Sequence, residues 1–295
     1  MFNILGVLFS AIALQAAPEY VVADWTFEEG TTGAPVKQTV DQSGRGHDSI
    51  TIWGSPVYVA GSGSMGAVAI DCPPGGIFGS GFNVADAPDL VLTNEFTLEA
   101  AVLARYDSQG SRRVIVGRNG SYKNSYELGY YPESDQFTLA VYRPQGVVSE
   151  LRAVFGRDNR FHHLAATFQN GDMKLYRDGL LAASTNTTVT PDPGSMDALS
   201  VGTIFNGGYW FNGLIDRVRI SNATLSPAQF FYQPGLQVAI RTAPVISWTS
   251  VAGRSYRILR EDSLSATNWT TLVSSFTAIG ANSTFVDLEA RADAS

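Results

Sequence analysis

The chain has 295 residues, 44% of them hydrophobic, with 29 glycines and 13 prolines. That much apolar material buries a sizeable core and excludes a disordered chain, and the glycine and proline content suits an all-β protein rich in turns. A net charge of -7 and a pI near 5.0 argue against nucleic acid as a partner, which asks for a basic surface that releases counterions, and a single cysteine, Cys72, excludes an intrachain disulfide.

Residues 1–17 hold an apolar run from Ile4 to Leu14 and then the small pair Ala16-Ala17. This is the shape of a secretory signal peptide, the alternative being an N-terminal apolar strand or anchor. No later apolar run approaches the ~20 residues of a membrane span, so the mature protein is expected to be secreted or held at the cell surface. Further on, Leu164, Ala166 and Phe168 keep a two-residue period that Met173 and Leu175 resume after Asn170-Gly171, which predicts a β-hairpin. A second turn pair, Asp178-Gly179, leads into a short run from Leu180 to Ser184. In Phe211 to Ile220, Leu214, Val218 and Ile220 share one face and Asp216 falls in their phase, so an inward carboxylate needs a partner. Ser226-Pro227-Ala228-Gln229 reads as a capping-box start for one turn of helix. From Leu236 the pattern changes to short strands at Val245 to Trp248, Tyr256 to Leu259, Phe276 to Ile279 and Thr284 to Val286, with Trp269 as filler of a small core.

Several ordered motifs in residues 18–235 carry a resemblance. Phe161-His162-His163-Leu164-Ala165 is followed by Tyr176-Arg177-Asp178-Gly179, and then by Phe211-Asn212-Gly213-Leu214-Ile215-Asp216-Arg217-Val218-Arg219-Ile220. Trp25 to Gly30, Asp41 to Gly46 and Phe96 to Ala100 stand where an opening strand, a first loop and a middle strand would lie. Together they resemble the laminin-G-like, concanavalin A-like jelly-roll domains of bacterial secreted proteins. The resemblance implies an all-β, two-sheet antiparallel sandwich. Residues 236–295, with Ile246-Ser247-Trp248, Arg254-Ser255-Tyr256 and Asn268-Trp269, resemble a fibronectin-type-III-like module, expected to be incomplete.

Catalytic signatures are missing, so no enzyme is expected. The glucanases of this fold place carboxylates in a Glu-x-Asp-x-(x)-Glu strand, but Glu133-Ser134-Asp135 is followed by Phe137, Thr138 and Leu139 at the decisive positions. There is no zinc-type His-Glu-x-x-His, no Gly-x-Ser-x-Gly elbow, and the glycines of 61–66 lack a phosphate-loop Lys-Ser/Thr and read as loop flexibility. His162 and His163 alternate across a strand and cannot easily ligate one ion, so packed strand histidines are their plain reading. The resemblance brings structural Ca²⁺ into view, with Glu28, Asp41 and Asp216 as candidate ligands; the alternatives are a salt bridge from Asp216 to Arg217, Arg219 or an arginine of another strand, or a turn-proximal Asp216 that stays solvated. For a ligand, aromatic faces and planar polar groups are what sugars require. Tyr126, Tyr130, Tyr142, Arg143, Tyr209 and Trp210 are the candidates, with cross-strand packing as the alternative for the tyrosines. The expected function is non-catalytic recognition of a glycan or glycoprotein. The alternatives are a structural or adhesive surface protein, and a glycoside hydrolase with a carboxylate pair of unfamiliar spacing in an aromatic-lined groove.

Overall fold

The computed structural model describes residues 18–73, 79–108, 111–119, 124–143, 146, 148–194, 198–204, 208–233, 245–260 and 270–286. The chain divides into two compact units, Met1–Leu236 and Gln237–Ser295. In the first, the strands are β1 (Val21–Trp25), β2 (Ser49–Trp53), β3 (Val57–Ala60), β4 (Val68–Cys72), β5 (Gly81–Val84), β6 (Glu95–Ala104), β7 (Arg113–Asn119), β8 (Asn124–Tyr131), β9 (Gln136–Tyr142), β10 (Val148–Val154), β11 (His162–Gln169), β12 (Asp172–Arg177), β13 (Leu180–Asn186), β14 (Leu199–Val201) and β15 (Gly213–Ser221). The helical content described is two 3-10 turns, Pro88–Leu90 and Pro227–Gln229, the second closed by the expected capping box at Ser226.

These strands form two antiparallel sheets. One has eight strands in the order β13-β12-β11-β6-β15-β4-β3, with β1 also on β15; the other has seven, β10-β9-β8-β7-β14-β5-β2. This is the two-sheet sandwich of a concanavalin A-like jelly roll. Alternation explains it locally. On β6, Phe96, Leu98, Ala100 and Val102 join Leu164, Ala166 and Phe168 of β11 in one core, and β8 and β9 supply Tyr126, Leu128, Tyr130, Phe137, Leu139 and Val141 from the opposite sheet. The β11–β12 turn places Asn170 at φ 47° and Gly171 at φ 95°, and the β12–β13 turn places Asp178 at 52° and Gly179 at 76°. Both are the left-handed pairs that match strand twist.

One feature departs from expectation. A bulge between Ile215 and Arg217 shifts the phase of β15, so Ile215 and not Leu214 joins Val218 and Ile220 in the core. Residues 222–232 cross the outer face of the eight-stranded sheet, where buried Glu99 accepts from the Phe231 N–H (2.8 Å) and from Arg219 Nε (2.7 Å), and lies 3.1 Å from His163 Nε2. His163 is thereby packed among Phe230, Phe231 and Tyr232.

In the second unit β16 (Val245–Thr249) pairs with β19 (Asn282–Val286), and β17 (Ser255–Arg260) with β18 (Thr270–Thr277). Trp248 meets Tyr256 and Phe276 edge-on at 6.0 and 5.7 Å. Ile279, expected inside a strand, lies exposed beyond β18, and Trp269 lies outside the described residues.

Candidate functional site

The outer face of the seven-stranded sheet carries one lateral row that runs across it through the ladder registers. Thr51 opposes Asn83, Asn83 opposes Ser200, Ser200 opposes Gly117, Gly117 opposes Glu127, Glu127 opposes Ala140, and Ala140 opposes Glu150. Polar side chains with small residues between them make this phase the opposite of the aromatic phase inside. Glu127 is 0% exposed and ion-paired with Arg112, and it accepts a hydrogen bond from the Asn119 amide. Gly129 lets this happen, because a Cβ there would stand 2.8 Å from Glu127 Oε1 and 3.2 Å from Arg112 Cγ. Glu150 accepts from Tyr131 OH at 2.8 Å, Thr138 Oγ1 at 3.1 Å and Arg152 at 2.6 and 3.0 Å. The Arg152 guanidinium lies over the Tyr131 ring at 3.8 Å, and Arg112 lies 5.6 Å from the centre of the Tyr142 ring. Burial lifts the Glu127 carboxyl above the ordinary carboxylate range, opposed by Arg112 and Asn119 and assisted by Glu150. In the same patch Asn119 Oδ1, Ser125 Oγ and the Tyr142 hydroxyl are buried with no partner among the described residues.

Of the residues singled out in the sequence for ligand binding, Tyr142 alone belongs to this cluster. Tyr126 (0% exposed) and Tyr130 (1%) face the core, where Tyr126 OH donates to Leu90 O at 2.8 Å and its ring packs tilted on Phe96, while Tyr130 bonds Asp135 and Arg157. They do share a strand phase, but it is the inward one; Glu127, Gly129 and Tyr131 occupy the outward phase. Arg143 reaches Thr188 O at 2.7 Å on the exposed border. Tyr209 (48% exposed, φ 48°) and Trp210 sit at a different end, in the loop between β14 and β15. There Trp210 packs against Gly79 and beneath Arg113, 5.4 Å from the ring centre. The signal missed in the sequence was the register: Glu127, Ala140 and Glu150 are two-residue alternates of three consecutive strands and become neighbours only once the hairpins pair.

The candidate metal ligands also separate. Asp216 is 0% exposed; Oδ2 accepts from the Ser62 N–H at 2.6 Å, and Oδ1 is buried without a partner. Glu28 Oε1 accepts from the Ala67 and Val68 N–H groups at 2.7 and 3.2 Å. Both carboxylates lie over Gly66, where a Cβ would come within 2.0 Å of Asp216 Oδ1 and 3.0 Å of Glu28 Oε1. The glycine of the 61–66 loop is therefore there for close approach. Burial and the nearby Glu28 raise the Asp216 carboxyl above its ordinary range against the hydrogen bonds from Ser62. Its alternative salt bridge is not formed: Arg217 pairs with Asp24 and Arg219 with Glu99. Asp41 does not join them. Its oxygens are spent on the N–H groups of Asp24, Ser43 and His47 and on the Ser43 hydroxyl, at 2.6 to 3.0 Å, which folds the 41–47 loop. Among the described residues no three His, Cys, Asp or Glu side chains converge as a metal site. His162 and His163 stay apart, His162 between Asp178 (2.8 Å) and Asp158 (2.9 Å). The two carboxylates at Gly66, with Asp216 Oδ1 unpartnered, supply the hard oxygen donors that a cation such as Ca²⁺ takes, though the main-chain groups described beside them are N–H donors.

The model of the family described as the concanavalin A-like lectin/glucanases superfamily matches residues 78–230, a little over half of the chain. The chain belongs to this superfamily. The superfamily span contains the polar row from Asn83 onward and Asp216, whereas Glu28, Asp41 and Gly66 precede it. Among solved structures, domain 4 of the extracellular arabinanase AbnA of Geobacillus stearothermophilus, in complex with arabinotriose, is 20% identical, with a TM-score of 0.53 over 72% of this chain and 98% of that one. A botulinum neurotoxin type C structure, whose cell entry depends on interaction with two ganglioside molecules, is 11% identical with a TM-score of 0.53; the match covers 71% of this chain and 49%, about half, of the neurotoxin chain. The binding domain of Paraclostridial Mosquitocidal Protein 1 is 12% identical with a TM-score of 0.53, over 86% of this chain and 68% of that one. These likenesses show a shared fold. Comparison with curated protein sequences finds no match.

Proposed function

We propose that this protein is a secreted or cell-surface carbohydrate-binding module without catalytic activity, and that it takes its glycan, free or on a glycoprotein, on the outer face of the seven-stranded sheet. The observation that carries this reading is the cluster of buried, unpartnered hydrogen-bonding atoms, Asn119 Oδ1, Ser125 Oγ and Tyr142 OH, set beside Tyr131 and two ion pairs. A buried polar atom without a partner costs about 1–3 kcal/mol, which a ligand rich in hydroxyls relieves on binding. The arabinotriose held by the arabinanase domain and the gangliosides of the neurotoxin support the same direction. We place structural Ca²⁺ at Glu28 and Asp216; when bound, the ion supplies the positive charge that their mutual repulsion and burial call for.

Glu127 and Glu150 are the pair a hydrolase would need, two strands apart and so about 10 Å between backbones. Their surroundings favour binding. An acid catalyst needs a carboxyl free to give its proton to the glycosidic oxygen, whereas Glu127 is tied to Arg112 and Asn119 and the oxygens of Glu150 are engaged by Arg152, Tyr131 and Thr138. The test is a glycan array probed with the protein in calcium and again in chelator. Saturable binding to one polysaccharide class, without release of reducing ends, supports the proposal. Hydrolysis abolished by Glu127→Gln or Glu150→Gln replaces it with an enzyme, and an empty array overturns it.

A further inference from the structure

Resting on the carbohydrate reading, we infer that the sheet-face site takes an uncharged sugar, selected through the corner formed by Asn119, Ser125 and Tyr142. Two ion pairs lie on this face, Arg112, just before β7, with Glu127 and Arg152 with Glu150, while Arg143 on the border beside Tyr142 is held by the Thr188 carbonyl. In the two pairs each charge is already neutralised by its neighbour. An acidic sugar would have to take an arginine from a carboxylate and leave that carboxylate unpaired, and an amino sugar would have to do the reverse with a glutamate; either exchange strands a charge that now has a partner.

The unsatisfied capacity at the site is of a different kind. Asn119 spends its amide N–H on Glu127 and keeps its carbonyl oxygen free, so it accepts; Ser125 and Tyr142 each carry a hydroxyl that donates or accepts. Burial pushes the Tyr142 hydroxyl far above its ordinary range, so it stays protonated and able to donate. One acceptor and two hydroxyls beside a flat aromatic ring complement vicinal sugar hydroxyls, and none of the three calls for a charge. Gly117 and Ala140, the register partners of Glu127 on either side, add no bulk or charge of their own to the row.

The experiment is affinity electrophoresis of the full chain through gels containing neutral arabinan, β-glucan, xylan or galactan, acidic polygalacturonate or alginate, and cationic chitosan, at about 0.05 and about 0.5 M NaCl. Retardation by a neutral polymer that changes less than about twofold with salt is expected, since no net charge is exchanged. Ser125→Ala and Tyr142→Phe are each expected to weaken it about 3- to 10-fold with unchanged circular dichroism and Tm. Retardation by acidic or cationic polymers alone, falling steeply with salt, overturns the inference and leaves the carbohydrate reading standing. Retardation by no polymer overturns that reading as well. Neutral binding indifferent to both substitutions removes the corner from the site.

Discussion

Glu127 sits at the middle of the sheet face with no solvent exposure, between an arginine and an amide. Because burial raises its carboxyl, the folded state holds that proton more tightly than the unfolded chain. Its contribution to stability is therefore whole below the ordinary carboxylate pKa and is lost as pH rises through the folded one. Glu127→Gln is expected to leave stability near pH 4 little changed, where the carboxyl holds its proton, and to fall less between about pH 4 and about pH 7 than the parent. Urea denaturation at both pH values checks it; an unaltered pH slope would show that Glu127 ionises freely. The neighbouring tyrosines show how a residue's role depends on phase. Tyr126 and Tyr130 read as a sugar platform because aromatics at alternate positions share a face, but the same alternation serves a core equally well, and composition does not say which face is inside.

At the scale of elements, the loop from Gly61 to Ala67 is built around carboxylates that reach it from Phe27-Glu28 and from the bulge in β15. Gly66→Ala is expected to cost about 1–3 kcal/mol, as the methyl group would overlap Asp216 Oδ1; a thermal melt with Tm unchanged would contradict the close approach. If Ca²⁺ binds there, Tm rises with calcium and falls with chelator, because a ligand of the folded state alone adds stability. Asp216→Asn is expected to abolish that response while leaving the calcium-free protein equally or more stable, since a buried, repelled carboxylate is removed. A calcium response retained in the variant would move the ion elsewhere. The hairpin at Asn170-Gly171 was legible in the sequence because two residues that tolerate positive φ stood between alternating runs. The bulge at Asp216 was not, since one extra residue in a ladder becomes visible only against the partner strand.

For the whole first unit, residues 222–232 act as a strap over the eight-stranded sheet, giving Glu99 its backbone donor and covering His163. A chain ending at residue 233 is expected to fold with a single cooperative transition and to keep its glycan binding. A chain ending at residue 221 strips Phe230 and Phe231 from a buried ion pair and is expected to lose several kcal/mol, enough to compromise folding. Size-exclusion and thermal denaturation of both truncations distinguish the outcomes, and a stable 221-residue chain would show the strap to be dispensable. The all-β class, the principal hairpins, the jelly-roll family and the absence of a familiar catalytic motif were determined by the sequence itself, because alternation, turn chemistry and motif order are local properties of the chain. The tertiary structure alone decided which tyrosines face outward, that Glu127, Ala140 and Glu150 form one row, and that Glu28 meets Asp216 while Asp41 does not. Those are matters of register and loop closure between distant segments, and a one-residue shift in pairing exchanges the face of every side chain in a strand.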